Sequence, residues 1–258
     1  MTDKNNHRIR KITPTGVVRT LAGSGAASYN MAPTTGEAAH FDYPTGVAVD
    51  SSSNVYVADT WNHRIRKITS AREVSTLAGS TEGYKDATGT AATFNEPYGV
   101  AVDSSGNVYV ADRSNNRIRK ITSTGVVSTL AGSTEGYKDA TGTAATFNSP
   151  ADVAVDSSGN LYVADRLNHR IRKITPEGVV STLAGSTEGY KDATGTTAQF
   201  NRPNGVAVDS SGILYVADSG NHRIRSIRRP CKYPDFSHSR SQLIPYTTSP
   251  SAWKQPGA

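Results

Sequence analysis

GVAVDSSSNVYVADTWNHRIRKIT, residues 46–69, contains three short apolar segments separated by two polar turns. In the central segment, Val55 and Val57 point to one side of a strand while Tyr56 and Ala58 point to the other, so both faces are largely apolar. A sheet with two apolar faces needs a packing neighbour on each side. The stretch therefore predicts short antiparallel strands that belong to a larger stack of sheets.

The same stretch returns with small changes at a fixed spacing. Four prolines mark the copies at intervals of 53 residues: Pro44, Pro97, Pro150 and Pro203. A fourth segment, VVSTLAG, follows in the later copies, and a loop of 18 residues leads to the next unit. Residues 76–95 and 129–148 are identical. Four-stranded antiparallel units repeated at about 40–55 residues pack radially, which predicts an all-β fold, a β-propeller.

The third segment departs from strict alternation. Ile65 and Ile68 are three residues apart in HRIRKIT, whereas alternating residues of a strand share a face. We therefore predict a β-bulge in this strand.

The recurring pattern P-x-GVAVD-x-x-GN-x-YVAD-x-x-NHRIRKI resembles the NHL-repeat family over residues 3–228. This resemblance implies an NHL-type β-propeller of four-stranded antiparallel blades, usually six, with GVAVD as the innermost strand. It also implies a range of functions, since relatives include RNA-binding proteins, ubiquitin ligases and a peptide-amidating lyase, with lactonase-type propellers more distant.

The number of blades departs from the family pattern, because the sequence contains material for about four to five. Asp3 and Asn6 align with Asp59 and Asn62, so we expect the chain to begin within a blade. In one alternative, residues 17–21 complete the last blade, which closes a four-bladed ring and leaves residues 7–12 as a surplus strand. In the other, the chain is a fragment of a six-bladed ring or an open arc, whose exposed edges favour self-association.

The repeats end before the C-terminus. We assign residues 1–229 to the propeller and residues 230–258, which are rich in Pro and Ser, to a disordered tail. The tail contains the single cysteine, Cys231, so neither an internal disulfide nor a cysteine-rich zinc site is expected.

Composition limits the classes of partner. The formal charge is +6, which permits anionic partners. No run of about 18 apolar residues is present, and the first residues lack the apolar segment of a signal peptide, so we expect no membrane span. The sequence does not assign a compartment, and the cytoplasm is the default expectation.

The repeated histidines suggest a metal site, but their spacing argues against one. They lie in different blades, which disperses the ligands that zinc needs within about 2.3 Å. We therefore expect no metal and no cofactor, and we predict that each histidine orders the turn before the third strand. These histidines are His7, His63, His169 and His222.

The basic third strand suggests RNA binding as a second hypothesis. The basic strand supports this hypothesis only weakly, because proteins that bind single-stranded nucleic acid also need exposed aromatic side chains. We expect the repeated tyrosines to be buried between blades, and the arginines to lie over neighbouring strands with their tips in solvent. These tyrosines are Tyr56, Tyr109, Tyr162 and Tyr215.

The long loop carries Glu82, Tyr84, Lys85 and Asp86, and two further copies repeat them. An active site needs unlike groups that converge once, so we predict instead a capped helical turn beginning near Asp86. For the same reason a metal-dependent lyase or lactonase-like propeller enzyme is only a third hypothesis.

Differences between the copies indicate where function lies. They concentrate beside the prolines and in the middle of the turn between the second and third strands, at one edge of every blade. We call these positions the variable face, and we predict that it binds a protein, a peptide or a glycan without catalysis. The candidate binding residues are Thr60, Trp61, Glu96, Tyr98, Arg113, Ser114, Asp152, Arg166, Leu167, Arg202 and Asn204. Asp152 stands out because it replaces a glycine of the innermost strand, although drift after duplication explains it most simply.

Overall fold

Five antiparallel sheets follow one another along the chain. The computed structural model describes residues 1–28 and 33–228, so the predicted tail and Cys231 lie outside the described residues. Blade 1 contains β1 (Thr2–Asp3), β2 (Arg8–Ile12) and β3 (Val18–Ala22). Blade 2 contains β4 (Thr34–Thr35), β5 (Pro44–Val49), β6 (Val55–Asp59), β7 (Arg64–Ile68) and β8 (Glu73–Gly79). Blade 3 contains β9 (Pro97–Val102), β10 (Val108–Asp112), β11 (Arg117–Ile121) and β12 (Val127–Ala131). Blade 4 contains β13 (Pro150–Val155), β14 (Leu161–Asp165), β15 (Arg170–Ile174) and β16 (Val180–Ala184). Blade 5 contains β17 (Pro203–Val208), β18 (Leu214–Asp218) and β19 (Arg223–Ile227).

Short 3-10 helices occupy two repeated positions. One set follows the second strand of each blade: Lys4–Asn6, Thr60–Asn62, Arg113–Asn115, Arg166–Asn168 and Ser219–Asn221. The other set lies in the long loops: Gly36–Ala38, Gly89–Ala91, Gly142–Ala144 and Gly195–Thr197.

The predicted helical turn at Asp86 is wrong. The loop helix begins only at Gly89, and the Asp86 carboxylate instead accepts hydrogen bonds from Arg119 at 2.5 Å and from the Thr129 N–H at 2.9 Å. Asp86 therefore fixes the loop to the outer strands of blade 3.

Apolar cores lie between successive blades, which confirms that both faces of blades 2, 3 and 4 are buried. Ile65 packs with Tyr56 and Val100 in the core shared with blade 3, whereas Ile68 packs with Ile9 in the core shared with blade 1. The two isoleucines are thus three residues apart because they face opposite sides of the sheet. The predicted irregularity is also present, since the pairing of β7 with β8 shifts register after Ile65.

The sheets succeed one another around a shared inner edge. The first strands of blades 2 to 5 are β5, β9, β13 and β17, and each contacts the next, while β1 contacts β5. The molecule is therefore an all-β propeller with five blades in the described residues, of which blades 1 and 5 contain three strands each.

The alternative of a closed four-bladed ring is wrong. Residues 17–21 lie in β3 or beside it, and β3 pairs with β2 rather than with the last blade. Strand β2 is not surplus, because it forms the centre of blade 1. Pairing two strands that are close in sequence costs less loop-closure entropy than pairing distant strands, which favours the pairing of β3 with β2.

Blades 2, 3 and 4 each contain a buried ion pair between an arginine of the third strand and the aspartate that ends the second strand. The Arg119 guanidinium lies 2.7 Å from the carboxylate of Asp112, and both side chains are fully buried. Arg66 with Asp59 and Arg172 with Asp165 repeat the pair. The expectation that these arginine tips lie in solvent is therefore wrong. Each guanidinium finds a carboxylate seven residues earlier, and that pairing permits a buried charge.

The repeated tyrosines are buried only where a blade follows. Tyr56, Tyr109 and Tyr162 are at most 7% exposed, as predicted, but Tyr215 is 44% exposed. Tyr215 lies in blade 5, whose outer face no further sheet covers among the described residues.

Candidate functional site

A common frame positions the residues of the variable face. In blade 3, the buried Asp112 accepts hydrogen bonds from the Asn95 N–H at 2.8 Å and from the Asn115 side chain at 2.8 Å. These contacts hold the residue two positions before the proline, and the end of the 3-10 turn, to the same carboxylate. Arg113 and Ser114, between the two anchors, are therefore free to vary without loss of the frame.

The residue after each 3-10 turn links one blade to the next. His63 has a φ of 51°, and its Nδ1 accepts the N–H of Glu96 from the following blade at 3.3 Å. His169 accepts the N–H of Arg202 in the same way at 3.2 Å. Asn116, which replaces histidine in blade 3, uses its Oδ1 at 2.8 Å. The histidine therefore joins blades, in addition to ordering the turn as predicted.

An aromatic stack lies at one end of the variable face. The rings of Tyr43 and Trp61 are 4.3 Å apart with an angle of 7° between their planes. The Lys4 ammonium lies 4.5 Å from the Tyr43 ring centre. Trp61 remains 54% exposed, so this stack presents a flat apolar surface beside a positive charge.

Three arginines form a positive cluster at the other end. Arg113 lies over the Tyr98 ring at 5.1 Å and donates to Ser149 Oγ at 3.0 Å, which holds its guanidinium in place. Burial, and then the neighbouring charges of Arg113 and Arg202, lower the pKa of Arg166. Within the described residues, none of the three arginines forms a salt bridge with a carboxylate. We call Arg113, Arg166 and Arg202 the arginine cluster.

Asp152 lies between three inner strands. Its carboxylate accepts the N–H of Val206 in blade 5 at 3.0 Å. A Cβ atom on Gly99 of blade 3 would lie 2.3 Å from the same carboxylate. Burial raises the pKa of Asp152 to about 6, and the backbone N–H groups of Val206 and Val153 oppose that rise. The aspartate that replaces glycine therefore adds a contact between blades. The expectation of drift after duplication does not account for this contact.

A cavity of about 310 Å³ opens at the inner edge of the variable face. Three of the predicted binding residues, Tyr98, Asp152 and Asn204, line it together with Lys4 and Ala151. Trp61, Ser114 and Leu167 lie outside this lining and are exposed, and Ser114 donates to Glu96 at 3.0 Å. The structure thus brings the arginine cluster, the cavity and the aromatic stack to one face.

Thr60 does not fit the predicted binding role. It is only 2% exposed, and its hydroxyl donates to the Pro97 carbonyl at 2.8 Å and contacts the Thr45 hydroxyl at 2.7 Å. Thr60 therefore joins blades 2 and 3, whereas arginine occupies the same position in blades 3 and 4.

Lys4 and Tyr43 are not among the predicted binding residues, although they lie beside Trp61 in the aromatic stack. The signal was present, because Lys4 occupies in the truncated first copy the position that Arg113 occupies in blade 3. Tyr43 precedes Pro44, one of the positions at which the copies differ.

The described part of the chain contains neither a cluster of metal ligands nor a helix that could span a membrane. Within residues 1–28 and 33–228, no three His, Cys, Asp or Glu side chains lie close enough to hold a metal ion together. In the described part of the chain, none of the helices has the length and apolar character needed to span a membrane.

A family model decides the identity of the repeat. The model for the NHL repeat matches residues 41–68, 94–121, 147–174 and 200–225, which contain the first three strands of blades 2 to 4 and, in blade 5, β17, β18 and the start of β19. The chain is an NHL-repeat protein. The predicted family resemblance is therefore confirmed. NHL repeat-containing protein 2 of Bos taurus is 31% identical over 216 residues, which cover 72% of this chain and 30% of that protein. This NHL protein spans less than a third of the length of the curated relatives that it matches.

Solved structures share the propeller fold with this NHL protein. An auxiliary nutrient binding protein of Bacteroides thetaiotaomicron aligns with a TM-score of 0.65 at 19% identity, over 86% of this chain and 54% of that one. Virginiamycin B lyase of Staphylococcus aureus aligns with a TM-score of 0.54 at 14% identity, over 90% of this chain and 66% of that one. One neighbour is a binding protein and the other an enzyme, so at these identities the likeness concerns the fold alone.

Proposed function

We propose that this NHL propeller is a non-enzymatic binding module whose variable face holds an acidic segment of a protein or peptide. The observation that carries the proposal is the arginine cluster, in which three guanidinium groups gather without a carboxylate partner in the described residues. Arginines that already repel one another gain from an anionic ligand, because the ligand removes that repulsion as it binds.

The charges of the whole face favour the same class of ligand. Lys4, beside the aromatic stack, is a further cation of the face, whereas the carboxyl groups of the face are Glu96 and Asp152. Glu96 accepts a hydrogen bond from Ser114, and Asp152 is occupied by the Val206 N–H. The remaining charge of the face is positive, which favours an acidic ligand.

The exposed aromatic stack favours a protein or peptide as the source of that acidic group. Tyr, Trp and Arg are the residue types that dominate binding energy at protein interfaces. Trp61, Tyr98 and the arginine cluster place these types on the variable face. An acidic peptide with an apolar residue beside its carboxylates matches both ends of the face.

The proposal is tested by fluorescence anisotropy with a labelled octaglutamate peptide. Arg113→Ala/Arg166→Ala/Arg202→Ala is expected to weaken binding by about 10- to 100-fold, since each partly buried ion pair is worth about 0.5–1 kcal/mol. Arg117→Ala, which removes one half-buried arginine outside the variable face, is the control and is expected to leave binding within about twofold. Binding that the triple variant retains would contradict the proposal.

RNA binding and metal-dependent lyase or lactonase-like activity stay hypotheses, as does self-association through blade edges. A labelled oligouridine in the same assay distinguishes the first of them. Retention of RNA that depends on the arginine cluster, with no retention of octaglutamate, would replace the acidic peptide by a nucleic acid.

A further inference from the structure

The rim of the propeller carries three copies of an exposed tyrosine stacked against an arginine. Tyr84, Tyr137 and Tyr190 are each more than 60% exposed. The guanidinium groups of Arg117, Arg170 and Arg223 lie 4.3, 4.2 and 4.8 Å from the respective ring centres. We call each tyrosine with its arginine a rim site.

The backbone on both sides of each ring is held in place. In the first copy, Gly83 N–H donates to the Phe94 carbonyl at 3.1 Å, and Lys85 N–H donates to Thr93 Oγ1 at 2.8 Å. The buried Arg119 also donates to the Lys85 carbonyl at 3.1 Å. The ring is thus presented on a rigid loop, so little entropy is lost when a ligand contacts it.

Each rim site holds two basic side chains that no salt bridge occupies. Lys85 and Arg117 form no salt bridge among the described residues, whereas the nearby Asp86 carboxylate is held by Arg119 at 2.5 Å, which also pairs with the buried Asp112. Lys138 with Arg170 and Asp139 repeats the arrangement. Glu82, the other acidic residue of the loop, accepts a hydrogen bond from Asn95 at 2.9 Å.

Open grooves lie beside the rings. A groove of about 510 Å³ contacts Tyr84, and one of about 670 Å³ contacts Tyr137. Thr143 and Thr196, from the loop of the next blade, line their far sides and add hydroxyl groups. Each groove therefore combines an aromatic face, two cations, a hydroxyl and one carboxylate, that of Asp86 or Asp139, which a buried arginine holds.

The repeats diverge at the variable face but not at the rim sites. The turn positions of the variable face vary between copies, with only Arg113 and Arg166 alike, while residues 76–95 and 129–148 are identical. The third copy differs at Thr197 and Gln199, which leaves its tyrosine, lysine and acidic residue unchanged. Burial does not explain this identity, because the ring and the lysine are exposed.

We infer that the rim sites are equivalent subsites for a repeating acidic polysaccharide. A sugar ring presents polarised C–H groups that fit the negative face of tyrosine, and a uronate carboxylate pairs with the lysine and arginine beside it. A polymer of identical units engages several identical subsites at once, so weak contacts add to a strong attachment. This inference is independent of the proposed function of the variable face.

A nucleic acid fits the rim less well. Exposed aromatic rings are present here, contrary to the sequence-based expectation, but affinity for single strands depends on a continuous path of cations along the phosphates. Each rim site offers one lysine and one arginine, and the arginine already covers one face of the ring. We therefore commit to the polysaccharide and make RNA an outcome of the test.

The experiment is isothermal titration of the full chain with polygalacturonate, with monomeric galacturonate, dextran and poly(U) as comparisons. We expect binding of polygalacturonate to be at least 100-fold tighter per chain than that of the monomer, and dextran and poly(U) to bind at least 30-fold more weakly than polygalacturonate. Tyr84→Ala/Tyr137→Ala/Tyr190→Ala is expected to remove polymer binding, while the corresponding triple change to Trp retains it. Lys67→Ala/Lys120→Ala/Lys173→Ala, which removes three half-buried lysines outside the rim sites and the variable face, is the charge control and is expected to leave polymer binding within about twofold.

Single variants keep the inference testable if the triple variant unfolds. Tyr137→Ala alone is expected to reduce polymer affinity by about 10-fold, because one of three contacts is lost. Absence of polygalacturonate binding to the folded wild type, dextran bound equally well, or tyrosine-dependent binding of poly(U) in its place would each overturn the inference.

Discussion

The Nη1 atom of Arg119 lies 2.7 Å from the carboxylate of Asp112 in the interior of blade 3, and neither side chain is exposed. Its Nη2 atom reaches Asp86 and the Lys85 carbonyl in the loop that carries Tyr84. A single buried guanidinium therefore joins the blade frame to the rim. Two residues earlier, Arg117 lies outside and covers the tyrosine ring.

We predict that Arg119→Met destabilises the protein by about 3–5 kcal/mol, because it leaves a carboxylate buried without its cation. Arg119→Lys is expected to restore little, since a single ammonium cannot reproduce the several N–H donors of guanidinium. Urea denaturation followed by circular dichroism measures both. Arg117→Ala is the control, with an expected loss below about 1 kcal/mol. A similar loss for both arginines would contradict the division into an internal and an external position.

We predict that the bond from Arg202 to His169 makes stability depend on pH. Burial lowers the pKa of His169, with the carboxylate of Glu188 opposing that change, so folding favours the neutral ring. The resulting stability is present above the unfolded pKa of about 6.5 and is lost as the pH falls through the lower folded value. His169→Asn supplies the acceptor that Asn116 supplies in blade 3, without a titrating group.

The measurement is the urea midpoint of the wild type and of His169→Asn at pH 7.5, 6.5 and 5.5. The wild type is expected to lose stability relative to the variant as the pH falls. Parallel profiles would show that His169 does not titrate against its blade contact.

We predict unequal costs for two glycines of the inner strands. A Cβ atom at Gly99 would lie 2.3 Å from the Asp152 carboxylate and 2.8 Å from the Ala151 carbonyl. At Gly205, the nearest atom is the Ala217 Cβ at 3.3 Å. Gly99→Ala should cost about 1–3 kcal/mol, and Gly205→Ala less than about 1 kcal/mol. Thermal unfolding ranks the two, and a larger loss at Gly205 would contradict the close packing of blades 3 and 4.

We predict that Asp152 makes the wild type less stable as the pH rises. Its pKa of about 6 exceeds the unfolded value, so folding favours the protonated form. The contribution is present below about pH 4 and is lost as the pH rises through 6. Relative to Asp152→Asn, the wild type should lose up to about 2 kcal/mol between pH 4 and 7. Urea midpoints across that range test the sign, and a gain for the wild type would contradict it.

The fold was predictable because local patterns and the repeat agree. The alternation in residues 55–58 indicates two apolar faces, and the 53-residue spacing indicates the units that cover them. The pairing partner of the N-terminal strand β3 was not predictable in this way. The sequence of β3 fits the outer strand of any blade, and only the adjacency of β2 decides its partner.

Polar side chains were harder to place, since a repeated residue does not reveal what it contacts. The exchange of His63 for Asn116 in the next copy was an available signal, because His Nδ1 and Asn Oδ1 are equivalent acceptors. The spacing of seven residues between Asp59 and Arg66 was another, and it indicates an internal ion pair. The arginine cluster escaped detection as a unit because its members lie in different copies and meet only in the folded protein.

The central claim is that the arginine cluster selects an acidic ligand on the variable face, and charge reversal tests it most directly. Isothermal titration compares octaglutamate with octalysine, on the wild type and on Arg113→Glu/Arg166→Glu/Arg202→Glu. We predict that the wild type binds octaglutamate, that added salt weakens this binding, and that the reversed variant prefers octalysine. Equal preference of the two folded proteins for the same peptide would contradict the claim.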